Sequence, residues 1–273
     1  MSIPKTKALI IIGALALIIV LYLQSTQIVS KKEEVLAPGD FFSRILSQAK
    51  SSLKREELEP LKKLEADIEK GNANNKVLLL DSMAHSWQRL QVPAIAAHYF
   101  DEEAKLMPTE KNELNAGATY YDAFSIAGDT ALKSYLVQGA IRNYEKVIAQ
   151  NPDNLDAKTD VALCYAEGTN NPMQGIMLLR EVVAKNPKHE NAQFNLGVLS
   201  IRSGQLDKAV ERLSNVIEIN PSRYDVYFLR GSTYMKLGQN EKALKDFEKV
   251  KNESGNAAMV SEADNYINQL TKN

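Results

Sequence analysis

The chain has 273 residues, 44% of them hydrophobic and 25% charged, with 13 glycines and 9 prolines. That composition excludes a disordered, collagen-like or multi-span membrane chain and supplies enough apolar material for a sizeable core. Lys and Arg total 33 against 34 Asp and Glu, a net charge of −1, so nucleic acid is not an expected partner. The single cysteine, Cys164, rules out an intrachain disulfide and a cysteine-rich zinc site. Only 7% of residues are aromatic, which is low for a β-sandwich of this size.

Ala8 to Leu23 is an unbroken apolar run of 16 residues, preceded by Lys5 and Lys7 and followed by Gln24-Ser25-Thr26-Gln27. As a helix it is roughly 24 Å long, a little short of a hydrocarbon core of about 30 Å. The uncharged residues that follow extend it into the interface. Neither Ser25, Thr26 nor Ser30 has a small residue two positions earlier, as a cleavage site would require. A retained anchor is therefore expected over residues 1–29, spanning about 8–26, with the lipid bilayer as its partner. Lys5 and Lys7 favour a cytoplasmic N-terminus, and Lys31 and Lys32 oppose that bias. The expected setting is a single-pass protein of a bacterial inner membrane, with its body in the periplasm.

Residues 30–76 read as a juxtamembrane linker followed by amphipathic helices. Asp40 is placed to cap a helix with Phe42, Leu46, Ala49 and Leu53 on one face. Pro60 interrupts the pattern, so a second helix is expected to begin there, carrying Leu61, Leu64 and Ile68 and ending at Gly71. The hairpin either packs on the body or makes a coiled-coil contact, which would make the protein a homo-oligomer.

Beyond it the sequence repeats. Gly197, Ala209, Leu213 and Pro221 are spaced 12, 4 and 8; Ala84, Ala96, Phe100 and Pro108 repeat that spacing. Gly231, Ala243 and Phe247 follow it, with Gly255 where proline would stand. Ala162, Gly175, Leu179 and Pro187 are spaced 13, 4 and 8, and Gly117, Ala140, Tyr144 and Pro152 are spaced 23, 4 and 8, an expansion of eleven residues. Small residues such as Gly197 and Ala209 are expected to face each other where paired helices cross, with Leu213 or Phe247 filling the gap to the next unit. Proline ends each unit because it lacks the amide a helix interior needs.

This pattern resembles the tetratricopeptide repeat, with Leu196-Gly197, Tyr234, Ala209, Ala243, Phe247 and Pro221 as literal matches. It departs at Arg230, where leucine is usual, and at Gln193, in the tryptophan position. The resemblance implies an all-α fold: a right-handed α–α superhelix over residues 77–273 with a C-terminal capping helix. Its units would be 77–110, 111–154, 155–189, 190–223 and 224–257, with the cap at 258–273. It also implies a concave face lined by the first helix of each unit. On this chain that face would hold Thr159, Asp160 and Glu167, then Phe194, Asn195, Val198 and Arg202, then Phe228, Ser232 and Lys236. The phenylalanines would grip apolar side chains, while Asn195 and Arg202 would bond a peptide backbone or carboxylate. The family's carboxylate clamp is matched only at Asn195, so binding of that type is disfavoured.

Catalytic signals are sparse. His85, His98 and His189 are scattered and no ligand spacing accompanies them, so neither metal nor cofactor is expected. Cys164 sits in an apolar segment and reads as a packed thiol. The expected function is a non-catalytic, membrane-anchored scaffold for protein or peptide partners. By family analogy, an assembly or chaperone-like factor in cytochrome c maturation or secreted-protein folding is the alternative. An enzyme whose site lies in the expanded unit, at Tyr120, Tyr121, Asp122 and Tyr135, is a third reading.

Overall fold

The computed structural model describes residues 38–272, so the anchor expected at 8–26 lies outside the described residues. Among the described residues there are thirteen helices and no strand. None of these helices is long and apolar enough to cross a membrane. The chain divides into two compact units at Ser51–Ser52.

The first unit contributes helix α1, Pro38–Ser52. It begins two residues before Asp40, with proline in its first turn, where no intrahelical amide is required. The Arg44 guanidinium lies 4.9 Å from the centre of the Phe41 ring.

The second unit is an unbroken series of helices. These are α2 (Arg55–Lys70), α3 (Ala73–Arg89), α4 (Pro93–Leu106), α5 (Glu110–Ile126), α6 (Thr130–Gln150) and α7 (Leu155–Gly168). Then follow α8 (Pro172–Lys185), α9 (Glu190–Arg202), α10 (Leu206–Ile219), α11 (Tyr224–Lys236), α12 (Asn240–Glu253) and α13 (Ala257–Thr271). Each packs on the next in sequence, and α5 also touches α7, as α7 touches α9. Alternate helices in contact put α5, α7 and α9 on the inner side of the stack.

Pro60 does not start α2 but lies inside it. In the second turn it forfeits the bond that its amide would make to the Glu56 carbonyl and sets its ring against that carbonyl. The helix is fixed on either side of that gap. The Glu57 carboxylate accepts the Lys54 amide at 2.9 Å, and Leu61 is 1% exposed.

The spacing of apolar residues explains which face each helix buries. On α10, Ala209, Leu213, Val216 and Ile217 are buried, while Lys208, Glu211 and Glu218 are exposed. These positions recur at steps of four, three and one, one stripe of a 3.6-residue helix. Full burial of a side chain such as Leu213 contributes roughly 2 kcal/mol.

The glycines do not mainly face the alanines of the partner helix. A Cβ at Gly197 would lie 3.1 Å from Leu213, one at Gly231 3.1 Å from Phe247, and one at Gly117 3.1 Å from Tyr144. Each glycine is thus a seat for the large side chain of its own unit's second helix. That side chain then reaches the next unit too: Phe247 stacks on Tyr266 of α13 at 4.9 Å. Among the helical glycines of the described residues, Gly175, on a second helix, makes the direct backbone crossing. A Cβ there would be 2.2 Å from the Ala162 carbonyl oxygen.

The turns repeat as faithfully as the helices. After α9, Gly204 donates to the Ile201 carbonyl and Gln205 to that of Ser200; after α11, Gly238 and Gln239 do the same to Met235 and Tyr234. This paired closure needs a left-handed residue, and Gly204 and Gly238 have φ of 73° and 70°. After α3, Gln91 takes the same position with φ 59°, a conformation that strains any residue with a Cβ. Between units, Asn151, Asn186 and Asn220 each precede a proline. Their side-chain oxygens accept the amides of Asp153, Lys188 and Ser222 at 3.3, 3.1 and 3.3 Å.

The expanded unit is a longer hairpin rather than an irregular insertion. Helices α5 and α6 have 17 and 21 residues, against 13 or 14 in the three units that follow. The departures from the repeat consensus have local causes. Gln193 is 3% exposed; it donates to the Pro187 carbonyl at 2.7 Å and accepts from Arg212 at 2.9 Å. Arg230 donates through Nε and Nη2 to both carboxylate oxygens of Asp246, at 2.8 and 2.7 Å.

Candidate functional site

The inner face is built from the first helices α5, α7, α9 and α11. Glu167, Arg202 and Lys236 stand five residues after Ala162, Gly197 and Gly231, so they hold one register on successive first helices. The Tyr121 hydroxyl of α5 donates to Glu167 Oε2 at 2.8 Å, and Arg202 Nη1 of α9 donates to Glu167 Oε1 at 2.7 Å. One carboxylate on α7 therefore ties three first helices together.

Other expected residues are placed less favourably. Thr159 is 1% exposed, and its hydroxyl donates to the Leu155 carbonyl at 2.8 Å. It faces the core and does not line the groove. Phe194 is half-buried beneath the Arg223 guanidinium, which lies 5.0 Å from the ring centre. Arg223 is fixed there by Glu190 at 2.6 Å and Asp225 at 2.7 Å. Phe228 packs edge-on against Phe247 at 5.4 Å and Tyr266 at 5.7 Å, so much of its ring belongs to the C-terminal core. The Ser232 hydroxyl donates to the Phe228 carbonyl at 3.0 Å. Asn195 and Val198 are half-buried, and Lys236 is exposed. Among the described residues, the Asn195 amide has no hydrogen-bond partner and Lys236 no ion-pair partner.

Asp160 is half-buried on α7. Burial, and secondarily the nearby Asp156 carboxylate, pushes its pKa up to about 6 from 3.8. A raised carboxyl pKa means the folded state holds its proton longer than the unfolded chain. The contribution of Asp160 to stability is then most favourable below the unfolded pKa and declines as pH climbs from about 4 through about 6. Asp160→Asn should abolish that decline and gain roughly 2 kcal/mol over the wild type at pH 7. Urea denaturation at pH 4 and pH 7 reads the difference directly, and parallel pH profiles for the two proteins would refute it.

Of the four residues of the expanded unit, Tyr120 and Tyr135 pack edge-on with ring centres 6.0 Å apart. Tyr120 is 1% exposed in the core between α5 and α6. Tyr121 is held by Glu167, and Asp122 is exposed. The Tyr135 hydroxyl lies 3.4 Å from His98 Nδ1, and burial lowers the His98 pKa to about 4. Burial pushes the Cys164 thiol well above its usual range, as befits a packed side chain rather than a nucleophile. Among the described residues no group of His, Cys, Asp and Glu is arranged to hold a metal ion.

Two family models match the last units. The model described as TPR repeat covers residues 201–238, and the one described as tetratricopeptide repeat covers 224–254. Residues 201–254 carry tetratricopeptide repeats. Among curated proteins it is similar to anaphase-promoting complex subunit 3 of Dictyostelium discoideum. The identity is 30% over 96 residues, 33% of this chain and 10% of that protein. It is also similar to human tetratricopeptide repeat protein 16, at 34% over 77 residues, 28% of this chain and 8% of that one. The chain thus spans about a tenth or less of the length of these relatives. Among solved structures, a tetratricopeptide repeat protein from Parabacteroides merdae aligns with a TM-score of 0.57 at 18% identity. That alignment covers 85% of this chain and 87% of that one. MamA from Desulfovibrio magneticus aligns with a TM-score of 0.50 at 18% identity, covering 66% and 94%. These likenesses establish the solenoid fold. Tetratricopeptide repeats generally serve protein–protein interaction.

Position-by-position reading missed the pairing between helices. Tyr121 and Glu167 are 46 residues apart, and Glu167 and Arg202 are 35 apart. The equal spacing of Glu167, Arg202 and Lys236 from the repeat's small residue was the available signal.

Proposed function

We propose that this protein is a membrane-tethered tetratricopeptide scaffold whose inner face holds extended segments of partner proteins. In this reading residues 1–29 anchor the chain, 30–76 link it, and 77–273 form the five-unit stack with its cap. The apolar run of residues 8–23 supports the tether, and the flanking Lys5 and Lys7 support a cytoplasmic N-terminus, which in a bacterial inner membrane puts the repeats in the periplasm.

The observation that carries the reading is the polar inventory of the inner face. Asn195 offers an uncommitted amide, Val198 an adjacent apolar patch, and Arg202 and Lys236 positive charge on neighbouring first helices. An extended peptide supplies the matching groups: backbone donors and acceptors, alternate apolar side chains and carboxylates.

The test is a pull-down from solubilised membranes with the full chain. An Asn195→Ala/Val198→Asp variant should lose at least ten-fold in captured partners while its helical circular dichroism is unchanged. A Met177→Glu variant, altered at an exposed site on α8, should capture them normally. Equal capture by both variants would remove the inner face as the binding surface. In the same cells the protein should sediment with membranes after an alkaline wash; recovery in the supernatant would remove the tether.

A further inference from the structure

The Glu167 carboxylate lies on the inner face between Tyr121 of α5 and Arg202 of α9. Its Oε1 takes Arg202 Nη1 at 2.7 Å and its Oε2 takes the Tyr121 hydroxyl at 2.8 Å. The Arg202 side chain is nevertheless 58% exposed and that of Glu167 26%. The guanidinium uses one nitrogen on Glu167, and among the described residues its other donors have no partner. An Arg fork that holds a carboxylate through one nitrogen exchanges it for one that engages both tines.

Charge decides what would come. The same register runs Asp122 on α5, Glu167, Arg202 and Lys236; Lys236 on α11 has no ion-pair partner among the described residues, so the α9–α11 end of the row is its positive end. The acidic groups of α7 at Asp156 and Asp160 lie eleven and seven residues earlier, roughly 16 and 10 Å away along the helix. They leave the Arg202 end undiminished.

We propose that Glu167 is a resident carboxylate closing the Arg202 end of the inner face, and that an acidic, extended segment of a partner protein binds there by displacing it. The proposal rests on the peptide-groove reading above and adds the partner's chemistry and the contact it must break. An exposed ion pair holds only weakly and is screened by salt, so Glu167 is an exchangeable occupant, and a segment with several carboxylates can engage Arg202 and Lys236 in turn. Tyr121 keeps the displaced carboxylate on its far side, ready to return.

The experiment is selection of a random octapeptide display library on the purified full chain, on Glu167→Gln and on Arg202→Gln/Lys236→Gln. Glutamine at 167 still accepts the Tyr121 hydroxyl, and circular dichroism checks that each variant stays folded. The strongest peptides are then synthesised, each with a counterpart in which Asp and Glu become Asn and Gln. Glu167→Gln should enrich acidic peptides and bind them at least five-fold tighter than the wild type, with neutral counterparts unchanged. Arg202→Gln/Lys236→Gln should lose the acidic preference. Peptides of equal acidity and affinity from wild type and Glu167→Gln would overturn the proposal while leaving the groove standing. A gain at Glu167→Gln that neutral counterparts share would overturn it too, because it would report loosening of the stack. Enrichment of no peptide by any variant would overturn the groove and the proposal together.

Discussion

Gly175→Ala should lose about 3 kcal/mol of stability, the upper end of what overpacking costs. The added Cβ would stand 2.2 Å from the Ala162 carbonyl oxygen, 2.8 Å from the Ala166 nitrogen and 2.9 Å from the Ala166 Cβ. Two of those three atoms are backbone, so no rotamer change relieves the clash and α7 and α8 must separate. The matching changes at Gly197 and Gly231 meet Leu213 and Phe247 side chains at 3.1 Å, which can turn aside. They should cost about 1 kcal/mol, the lower end of the same range. Urea denaturation followed by circular dichroism ranks the three. Because each helix contacts mainly its neighbours in sequence, hydrogen exchange in Gly175→Ala should accelerate first in α7 and α8. Equal losses at Gly175 and Gly197 would show that the backbone crossing has no special weight.

The second large effect is expected at Asp246. Its carboxylate is 7% exposed and grips the Nε–Nη2 edge of Arg230, which is 16% exposed and donates through Nη1 to Ser214 Oγ at 2.8 Å. Tyr227 and Tyr234 flank the guanidinium at 5.6 and 5.7 Å. Asp246→Ala leaves a buried cation without its counter-charge and should cost about 3 kcal/mol. Adding Arg230→Leu removes the stranded charge and restores the leucine usual in the repeat. The double variant should then recover to within about 1 kcal/mol of the wild type. Thermal melts of the single and double variants provide the measurement. A double variant no more stable than Asp246→Ala would mean that the loss comes from packing, not from the orphaned charge.

Periodicity made the core legible because the packed positions are fixed by helix geometry alone. Ala84, Ala96, Ala140, Ala162, Ala209 and Ala243 all prove fully buried, as the spacing of 12, 4 and 8 required. Helix boundaries around Pro60 were harder, since one lost hydrogen bond is outweighed by the burial of Leu61. The glycine contacts were misassigned for a geometric reason. Residue spacing says that a small side chain is needed at Gly197 but not which atom fills the space, and it is Leu213 of the same unit. The inner face was the least legible part. Which of Thr159, Asp160 or Glu167 points inward depends on how α7 is rotated against α5 and α9, and that rotation is set by contacts 35 and 46 residues apart in sequence. Arg230 was visible as a departure from the pattern. Its partner, Asp246, was hidden among many solvated carboxylates.

The Asn-Pro junctions have a further consequence. Asn186-Pro187 and Asn220-Pro221 turn the chain in the same way, 34 residues apart. Cutting out one such segment and rejoining its ends would leave Asn186 offering its side-chain oxygen to the Ser222 amide just as it now does to that of Lys188. The bend is therefore an interchangeable hinge pin. Gene duplication or deletion can lengthen or shorten the surface a whole module at a time, without the chain having to invent a new corner.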